Sequence, residues 1–417
     1  MNILRLVYEW PPPWDGLAPA PYELTRAQVK LGHDVTVFCG GGFGNLGRVR
    51  HPELVSGSDT YQIPNQVRND GEVADLVTGD HDGLKVYRFP RALKRFSLFL
   101  TTSPMVLLGY LFLNLTGRGP DLVHGHGHIT LWFSIYKLLF SWLDKTPYVL
   151  HLHITAAGRE QGLPIDSFPR QAPGPDFWTK YFEWPLHKFS DWLGVRVADR
   201  VICVSSRVME EAVKFYGARV VNLVVVENGV NTDLFFPESY SASRITYNVL
   251  YVGALSPRKN SHLLIEAMKF LPEDYYLTIV GRGNKNYEDK LHRLVESLKL
   301  QDRVEFEGYV EYPELPSFYR NAAVFVLPSS YEGLPKVVFE ALASGVPVLA
   351  SGFGLARLID GLEFLKDLEP EAIAERIQRL LDSGVSVDVS RVQELYSWER
   401  KAREIEAIYS TVTEGSG

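Results

Sequence analysis

Short apolar, β-branched runs alternate with amphipathic stretches from end to end of the chain, a rhythm that predicts alternating strands and helices. In the first half the runs predict strands at residues 3–7, 34–38, 85–89, 122–124, 148–151, 201–204 and 223–226. In the second half they predict strands at 248–252, 276–280, 304–307, 324–327 and 346–350. Between these, apolar residues recurring at helical spacing predict helices over 262–269, 285–298, 314–322, 335–343 and 371–383. The strand runs are apolar throughout rather than alternating, as parallel strands covered on both faces are. The pattern therefore predicts α/β layering.

The rhythm breaks in three places. At residues 236–246 (FPESYSASRIT) Pro, Ser and charge cluster, and a domain boundary is expected there. Residues 40–83 are polar without a sustained period; part of this run, RHPELVSGS followed by QVRND, resembles a translated mobile repeat inserted into a surface loop. Leu98–Leu115 approaches membrane length, but Thr101, Thr102, Ser103 and Pro104 interrupt it. A buried helix over 105–115 is expected there, and no bilayer-spanning segment. A last helix is expected over 396–413.

A chain of 417 residues is long for one core and suits two domains. The division read from the pattern is 1–240, with an inserted loop at about 43–83, then 241–393, and 394–417 as a closing helix. A net charge of −7 argues against nucleic acid as the main partner. Cys39 and Cys203 lie in apolar runs and read as small buried hydrophobes in a reducing compartment. The N-terminal residues lack the basic start and apolar run of a signal peptide, so a cytoplasmic location is expected.

The most informative chemistry lies in PSSYEGLPKVVFEALASGVPVLAS, where a strand ends in a turn and a helix follows. Gly333 lets the backbone approach a ligand, and the free N–H groups of Gly333, Leu334 and the helix start suit a pyrophosphate. Glu332 and Glu340, eight positions apart, can address the two ends of one nucleotide-sugar. GALSPRKN follows the strand at 248–252; Arg258 and Lys259 there can neutralise a departing diphosphate, with Gly253 at the turn. Gly281, in VGRGN, offers another turn at the same sheet edge. In the first half Gly16, in WDGLA, suits a turn facing an interdomain cleft. Histidines cluster as His124, His126, His128, His151 and His153. Such H-x-H runs raise metal binding, but no carboxylate accompanies them closely, so histidines lining a cleft or packed structurally are the better readings.

Taken together these residues resemble the retaining glycosyltransferases of family 4, over nearly the whole chain. PPPWDGLAPAPYELTRAQVKLGHDVTVF is similar to the family's opening, and DLVHGHGH to its histidine strand end. ADRVICVSS, VVENGVNTDLFFP, GALSPRKNSHLLIEAM, VGRG, the Glu332–Glu340 block and YSWERKAREIEAIY follow in the family's order. The resemblance implies a GT-B fold: two Rossmann-like, doubly wound domains facing a cleft, with a C-terminal helix crossing back to the first. It implies that Glu332 meets the donor sugar and Glu340 the ribose. Lys259 and Arg258 would hold the diphosphate, aided by backbone at Gly333 and Leu334. Gly16 would lie by the phosphate or sugar, and His153 near the reacting sugar. The implied reaction moves a sugar from a nucleoside-diphosphate sugar to a glycan, lipid-linked or small-molecule acceptor, with retention and without an essential metal or other cofactor.

Three positions depart from the family pattern. Ala254 stands where an Arg is frequent, Asp15-Gly16 where two glycines are usual, and Arg357 where a Glu is frequent. A sugar-nucleotide epimerase or phosphorylase shares the fold, and a non-catalytic sugar-nucleotide-binding protein keeps the same cleft. YRFPRALKRFSLFL sets Arg88, Arg91, Lys94 and Arg95 beside Phe96, Leu98 and Phe99, a basic-apolar surface suited to peripheral contact with an anionic membrane.

Overall fold

In a computed structural model, which describes residues 1–11, 18–41, 79–81, 84–90, 98–161, 177–237 and 247–414, the apolar runs assemble into two sheets. The first holds β1 (Asn2–Val7), β2 (Asp34–Gly41), β3 (Gly79–His81), β4 (Leu84–Pro90), β5 (Leu122–His126), β6 (Tyr148–Leu152), β7 (Arg200–Cys203) and β8 (Leu223–Val225), in the order β3-β4-β2-β1-β5-β6-β7-β8. All neighbours pair in parallel except β3, which runs antiparallel to β4. The second sheet is wholly parallel: β9 (Tyr247–Val252), β10 (Tyr275–Val280), β11 (Val304–Gly308), β12 (Val324–Leu327), β13 (Val348–Ala350) and β14 (Leu362–Phe364), ordered β11-β10-β9-β12-β13-β14.

In both sheets the chain winds outward from the first strand and then crosses back to its other side. The reversal falls between β1 and β5 in one sheet and between β9 and β12 in the other. A parallel sheet leaves a crevice beyond the carboxyl ends of the strands at such a point, because the two loops there depart in opposite directions. GALSPRKN follows β9 and the Glu332–Glu340 block follows β12, at the second reversal, while the His124–His126 run ends β5 at the first.

Helices cover both faces of the first sheet. Ser103–Leu115, Leu131–Phe140 and Trp184–Val197 lie on one side, burying Val106, Tyr110 and Phe133 with Leu4, Leu6 and Leu150. On the other side lie Pro19–Lys30 and the C-terminal helix Trp398–Glu414. Here Ile405 and Tyr409 join Ile3, Val7 and Val37 in a second core. The last helix therefore belongs by packing to the first sheet, although the chain reaches it from the second. Cys39 and Cys203 are buried and not joined in a disulfide, and burial pushes the pKa of the Cys203 thiol up to about 12.

Several expectations are corrected. Two strands of three residues each, β3 and β14, do not register as apolar runs because their sequences, GDH and LEF, are interrupted by polar residues, and β3 lies inside the segment expected to lack structure. The closing element is two helices, Val389–Tyr396 and Trp398–Glu414, with Ser397 extended between them. The apolar run at Leu98–Leu115 is helical throughout, but only 28% of it is buried. Length and composition alone would let it cross a membrane. Instead one face packs on the sheet: a Cβ at Gly109 would lie 2.7 Å from the Phe38 ring. The expected domain boundary at 236–246, the loop at 43–83 and Gly16 fall largely or wholly outside the described residues.

Candidate active site

The site is built from the carboxyl ends of β9 and β12. After β9 the chain turns through Gly253 and Ala254 into a short 3-10 turn, Pro257–Lys259, that ends at Asn260 with φ 52°. The Asn260 amide donates to Pro328 O at 2.9 Å and to Ser330 Oγ at 2.8 Å, and Ser330 N donates to Arg258 O at 2.9 Å. These bonds lock the two strand ends together and fix where Arg258, Lys259 and Glu332 meet. Glu332 Oε1 lies 2.9 Å from Lys259 Nζ and 3.1 Å from Arg258 Nη1, and accepts from Ser329 Oγ at 3.0 Å. Arg258 also donates to the Tyr331 carbonyl.

Burial by itself would raise the Glu332 carboxyl, but Lys259 and then Arg258 outweigh it and hold the pKa below the usual carboxylate value. Glu332 is therefore ionised, and one carboxylate faces two cations. The excess positive charge has low solvent access, which strengthens its attraction for an anionic ligand.

Glu340 lies in the following helix, Lys336–Ala343, whose first residue stands one position later than the sequence suggests because Pro335 takes the N-cap. The Tyr319 hydroxyl donates to Glu340 Oε2 at 2.8 Å. Burial raises the Glu340 pKa, with Lys336 and Tyr319 opposing. Lys336, half-buried, is a site residue that the sequence reading missed. Burial lowers its pKa to about 8 against the pull of Glu340, Glu9 and Glu23, with Lys259 pushing the same way as burial. A signal existed: a cation in the first turn of a helix opposes the macrodipole, and such local violations mark functional positions.

Gly281 sits at the end of β10 with φ 137°, and a Cβ there would lie 2.0 Å from Gly253 O. Only glycine lets the two turns touch. Gly333 is equally constrained, but by the other half of the molecule: a Cβ would lie 1.8 Å from His153 O. Leu334 O accepts from the Asn228 amide at 2.9 Å. His153 thus reaches the Glu332–Glu340 motif through its backbone, and its pKa falls to about 3, by burial first and then by the charges of Lys336 and Arg5.

The histidines form a stack rather than a row of cleft-facing groups. Parallel pairing gives His126 and His151 the same register, so His124, His126, His151 and His153 share one sheet face. The rings of His124 and His126 lie 4.5 Å apart, as do those of His151 and His153. His126 Nδ1 is 2.9 Å from His153 Nε2. Arg5, fully buried in the middle of β1, places Nη1 2.9 Å from His126 Nε2, and Tyr409 of the C-terminal helix reaches His124. Burial drives the pKa values of His124, His126 and His151 well below the usual range, so the stack is neutral. His124, His126 and His151 bring ligand-type nitrogens within 4.8 Å of one another. The Arg5 guanidinium against that cluster opposes a second cation.

His128 leaves this stack. It lies 3.3 Å from Asp191, whose pKa burial raises to about 7, and its ring meets His187 at 4.1 Å. Between the two sheets runs a further group absent from the sequence reading. The Tyr331 hydroxyl donates to Glu211 at 2.7 Å, Arg207 donates to Gly352 O at 2.8 Å, and Ser205 donates to Gly333 O at 2.8 Å. Arg357 is exposed.

Two Rossmann-like sheets meeting at their carboxyl edges, with the last helix returned to the first, define a protein of the GT-B fold. The fold is shared with a sucrose-phosphate synthase from Thermosynechococcus elongatus, with a TM-score of 0.73 at 20% identity over 100% of both chains. It is also shared with HepE of Anabaena, solved with UDP and glucose, at a TM-score of 0.67 and 18% identity over 99% of this chain and 100% of that one. The model of Glycosyltransferase Family 4 matches residues 14–234, and that of glycosyl transferases group 1 matches 241–401. The chain belongs to glycosyltransferase family 4. An uncharacterized glycosyltransferase of Methanocaldococcus jannaschii is 27% identical, over 84% of this chain and 92% of its own. A glycogen synthase of Mycobacterium tuberculosis is 27% identical over 85% and 78%.

Proposed function

We propose that this glycosyltransferase takes its sugar from a nucleoside-diphosphate sugar and transfers it with retention, without a metal, to a glycan, lipid-linked or small-molecule acceptor. The observation that carries the reading is the Lys259–Glu332–Arg258 cluster at the β9/β12 reversal, ahead of a helix N-terminus. HepE, which shares the fold, was solved with UDP-glucose. In the proposed reaction the bond from the anomeric carbon to the β-phosphate oxygen breaks, and the diphosphate leaves with the electron pair. Lys259 and Arg258 neutralise that charge as it develops. The acceptor hydroxyl oxygen attacks the same face, and its proton passes to the departing phosphate oxygen, so no protein nucleophile is required. Glu332 accepts hydrogen bonds from the sugar hydroxyls, and Glu340, held by Tyr319, accepts from the ribose. His153, neutral at working pH, lies on the acceptor side.

The test is nucleoside diphosphate release from a panel of nucleotide-sugars, with Lys259→Ala and Glu340→Ala alongside. Lys259→Ala is expected to lower kcat/KM by roughly 10²–10³, the cost of removing one charge-stabilising donor. Glu340→Ala is expected to weaken the donor by about 10–100-fold, since a hydrogen bond to a charged group is worth about 1.5–3 kcal/mol. A protein that binds a nucleotide-sugar but does not turn it over, whatever acceptor is supplied, would instead be a non-catalytic binder. Absence of binding to every nucleotide-sugar would defeat the proposal.

A further inference from the structure

The two outer layers of the first sheet are finished in opposite ways. On the side of Trp398–Glu414 the surface is solvated by ion pairs: Lys30 with Glu399 at 3.3 Å and Arg400 with Glu404 at 3.0 Å. On the side of Ser103–Leu115, Leu131–Phe140 and Trp184–Val197 the outward residues are leucine, phenylalanine and tryptophan. Ser103–Leu115 carries no charged residue at all. Leu108, Phe112 and Leu115 point outward from it, each at least half exposed. The neighbouring helix and the turn that follows it present Leu139, Trp142 and Leu143, and the helical entry to the third adds Phe177, Trp178 and Tyr181, again each at least half exposed. The first of these helices packs on the second and the second on the third, so the exposed residues form one face. A helix apolar all round belongs in a core or in lipid, and exposed apolar surface on this scale marks an interaction site.

Charge indicates what covers it. From Leu84 to Pro120 the sequence holds six Lys and Arg and no Asp or Glu, in a chain whose net charge is −7; of the six, Lys85 pairs with Asp34 and Arg88 donates to Trp10 O and Pro11 O, which leaves Arg91, Lys94, Arg95 and Arg118. Arg118, Lys145, Lys180 and Arg196 are exposed among the three helices, Arg196 lying over the Trp192 ring at 4.7 Å. The carboxylates nearby are engaged: half-buried Asp144 accepts from the Tyr136 hydroxyl at 2.9 Å, exposed Asp199 accepts from Tyr148 N at 2.8 Å, and Glu160 pairs with Lys188. A two-fold dimer through this face would set one basic border against its copy, which like charges oppose. An anionic bilayer meets both requirements. Its headgroups take the Lys and Arg side chains, its acyl boundary takes the leucines and phenylalanines, and Trp and Tyr suit the zone between.

We infer that the three-helix face of the first domain docks on an anionic membrane surface, with the helices lying in the interface rather than crossing it. The face extends to the carboxyl edge of the sheet: Trp132 Nε1 donates to Phe99 O at 2.7 Å, Phe99 meets His187 at 4.8 Å, and His187 meets His128 just beyond β5. A docked molecule would therefore hold the acceptor side of its cleft close to the bilayer.

The test is flotation of the full chain with phosphatidylcholine vesicles, with and without phosphatidylglycerol, at low and high salt. Wild type is expected to float with the anionic vesicles and to lose most of that binding at high salt. The double variant Phe112→Ser/Trp142→Ser and, separately, Lys94→Ala/Arg95→Ala are each expected to bind about tenfold or more weakly. Thermal unfolding serves as the fold control, and binding is read without turnover, so the outcome does not depend on the assigned reaction. Wild type that stays with neither vesicle, floats equally with both, or dimerises through the face without lipid would overturn the inference. So would a Phe112/Trp142 variant that floats like wild type.

Discussion

Two cations for one carboxylate is the arrangement that gives this site its character. Were Glu332 to match a single lysine, the pair would be neutral and indifferent to a diphosphate. With Arg258 at 3.1 Å as well, the site keeps an uncompensated positive charge. Lys336 adds to that field and is the residue whose titration can be read. Its folded pKa of about 8 lies below the ordinary lysine value, so between about 8 and the usual 10.4 the unfolded chain binds more protons and stability rises with pH, while the cation available to a diphosphate is lost. Donor kcat/KM is therefore expected to fall as pH rises through about 8, and Lys336→Gln to remove that limb while lowering the plateau below it. A pH profile unchanged by the substitution would take Lys336 out of donor binding. Glu332, Lys259 and Arg258 were legible because their spacing from predicted strand ends fixes their neighbourhood. Lys336 stands in the same motif yet was passed over, because an exposed first-turn lysine and one drawn beside Glu340 read alike in sequence. Arg5 was missed for a related reason: in ILRLV nothing announces that Gln28, His124 and His126 wait on the same face.

At the scale of elements, the strand–turn–helix after β12 does two jobs, and glycine makes both possible. Gly333 passes so close to His153 O that even a methyl group has no room, and the obstacle is backbone, which no rotamer change relieves. Gly333→Ala should leave each sheet folded but force the two strand ends apart. Loss of most transfer activity is expected, with donor affinity reduced far less. Wild-type turnover would mean that this contact opens during the reaction. Strands were legible because β-branched apolar runs bounded by turns have few other uses. The helix at Leu98–Leu115 was not: apolar composition says that a face seeks cover, but not whether protein or lipid supplies it. The closing helix was placed correctly to within two residues, whereas its separation from Val389–Tyr396 depends on Ser397 alone, whose extended backbone carries no apolar signature.

Across the two sheets run polar contacts that no single-domain reading could anticipate, since each joins residues more than 100 positions apart. Ser205 is instructive. Its hydroxyl accepts from Val208 N to cap the helix Ser206–Tyr216 and also donates to Gly333 O, so the start of a helix in one domain is fastened to the donor turn of the other. Arg207 stands beside it, ion-paired with Glu211 at 3.2 Å, lying over the Tyr331 ring at 4.5 Å and donating to Gly352 O. The Tyr331 hydroxyl returns to Glu211, which closes the circuit. Tyr331 also precedes Glu332, so closing the domains and placing the carboxylate proposed to meet the sugar are one event. Removing the guanidinium would leave the fold of each domain intact while shifting the balance toward an open molecule, by about 10-fold or more if the contact is worth the usual 1.5–3 kcal/mol of a charged hydrogen bond. Arg207→Ala is thus expected to lower kcat by about that factor, with a modest change in KM, and to enlarge the radius of gyration in solution scattering with donor bound. Arg207→Lys keeps the charge but loses the planar group over Tyr331, and should recover only part of the rate. If both variants scatter and turn over like wild type, closure is governed elsewhere along the interface, and Asn228, which donates to Leu334 O, becomes the residue to change.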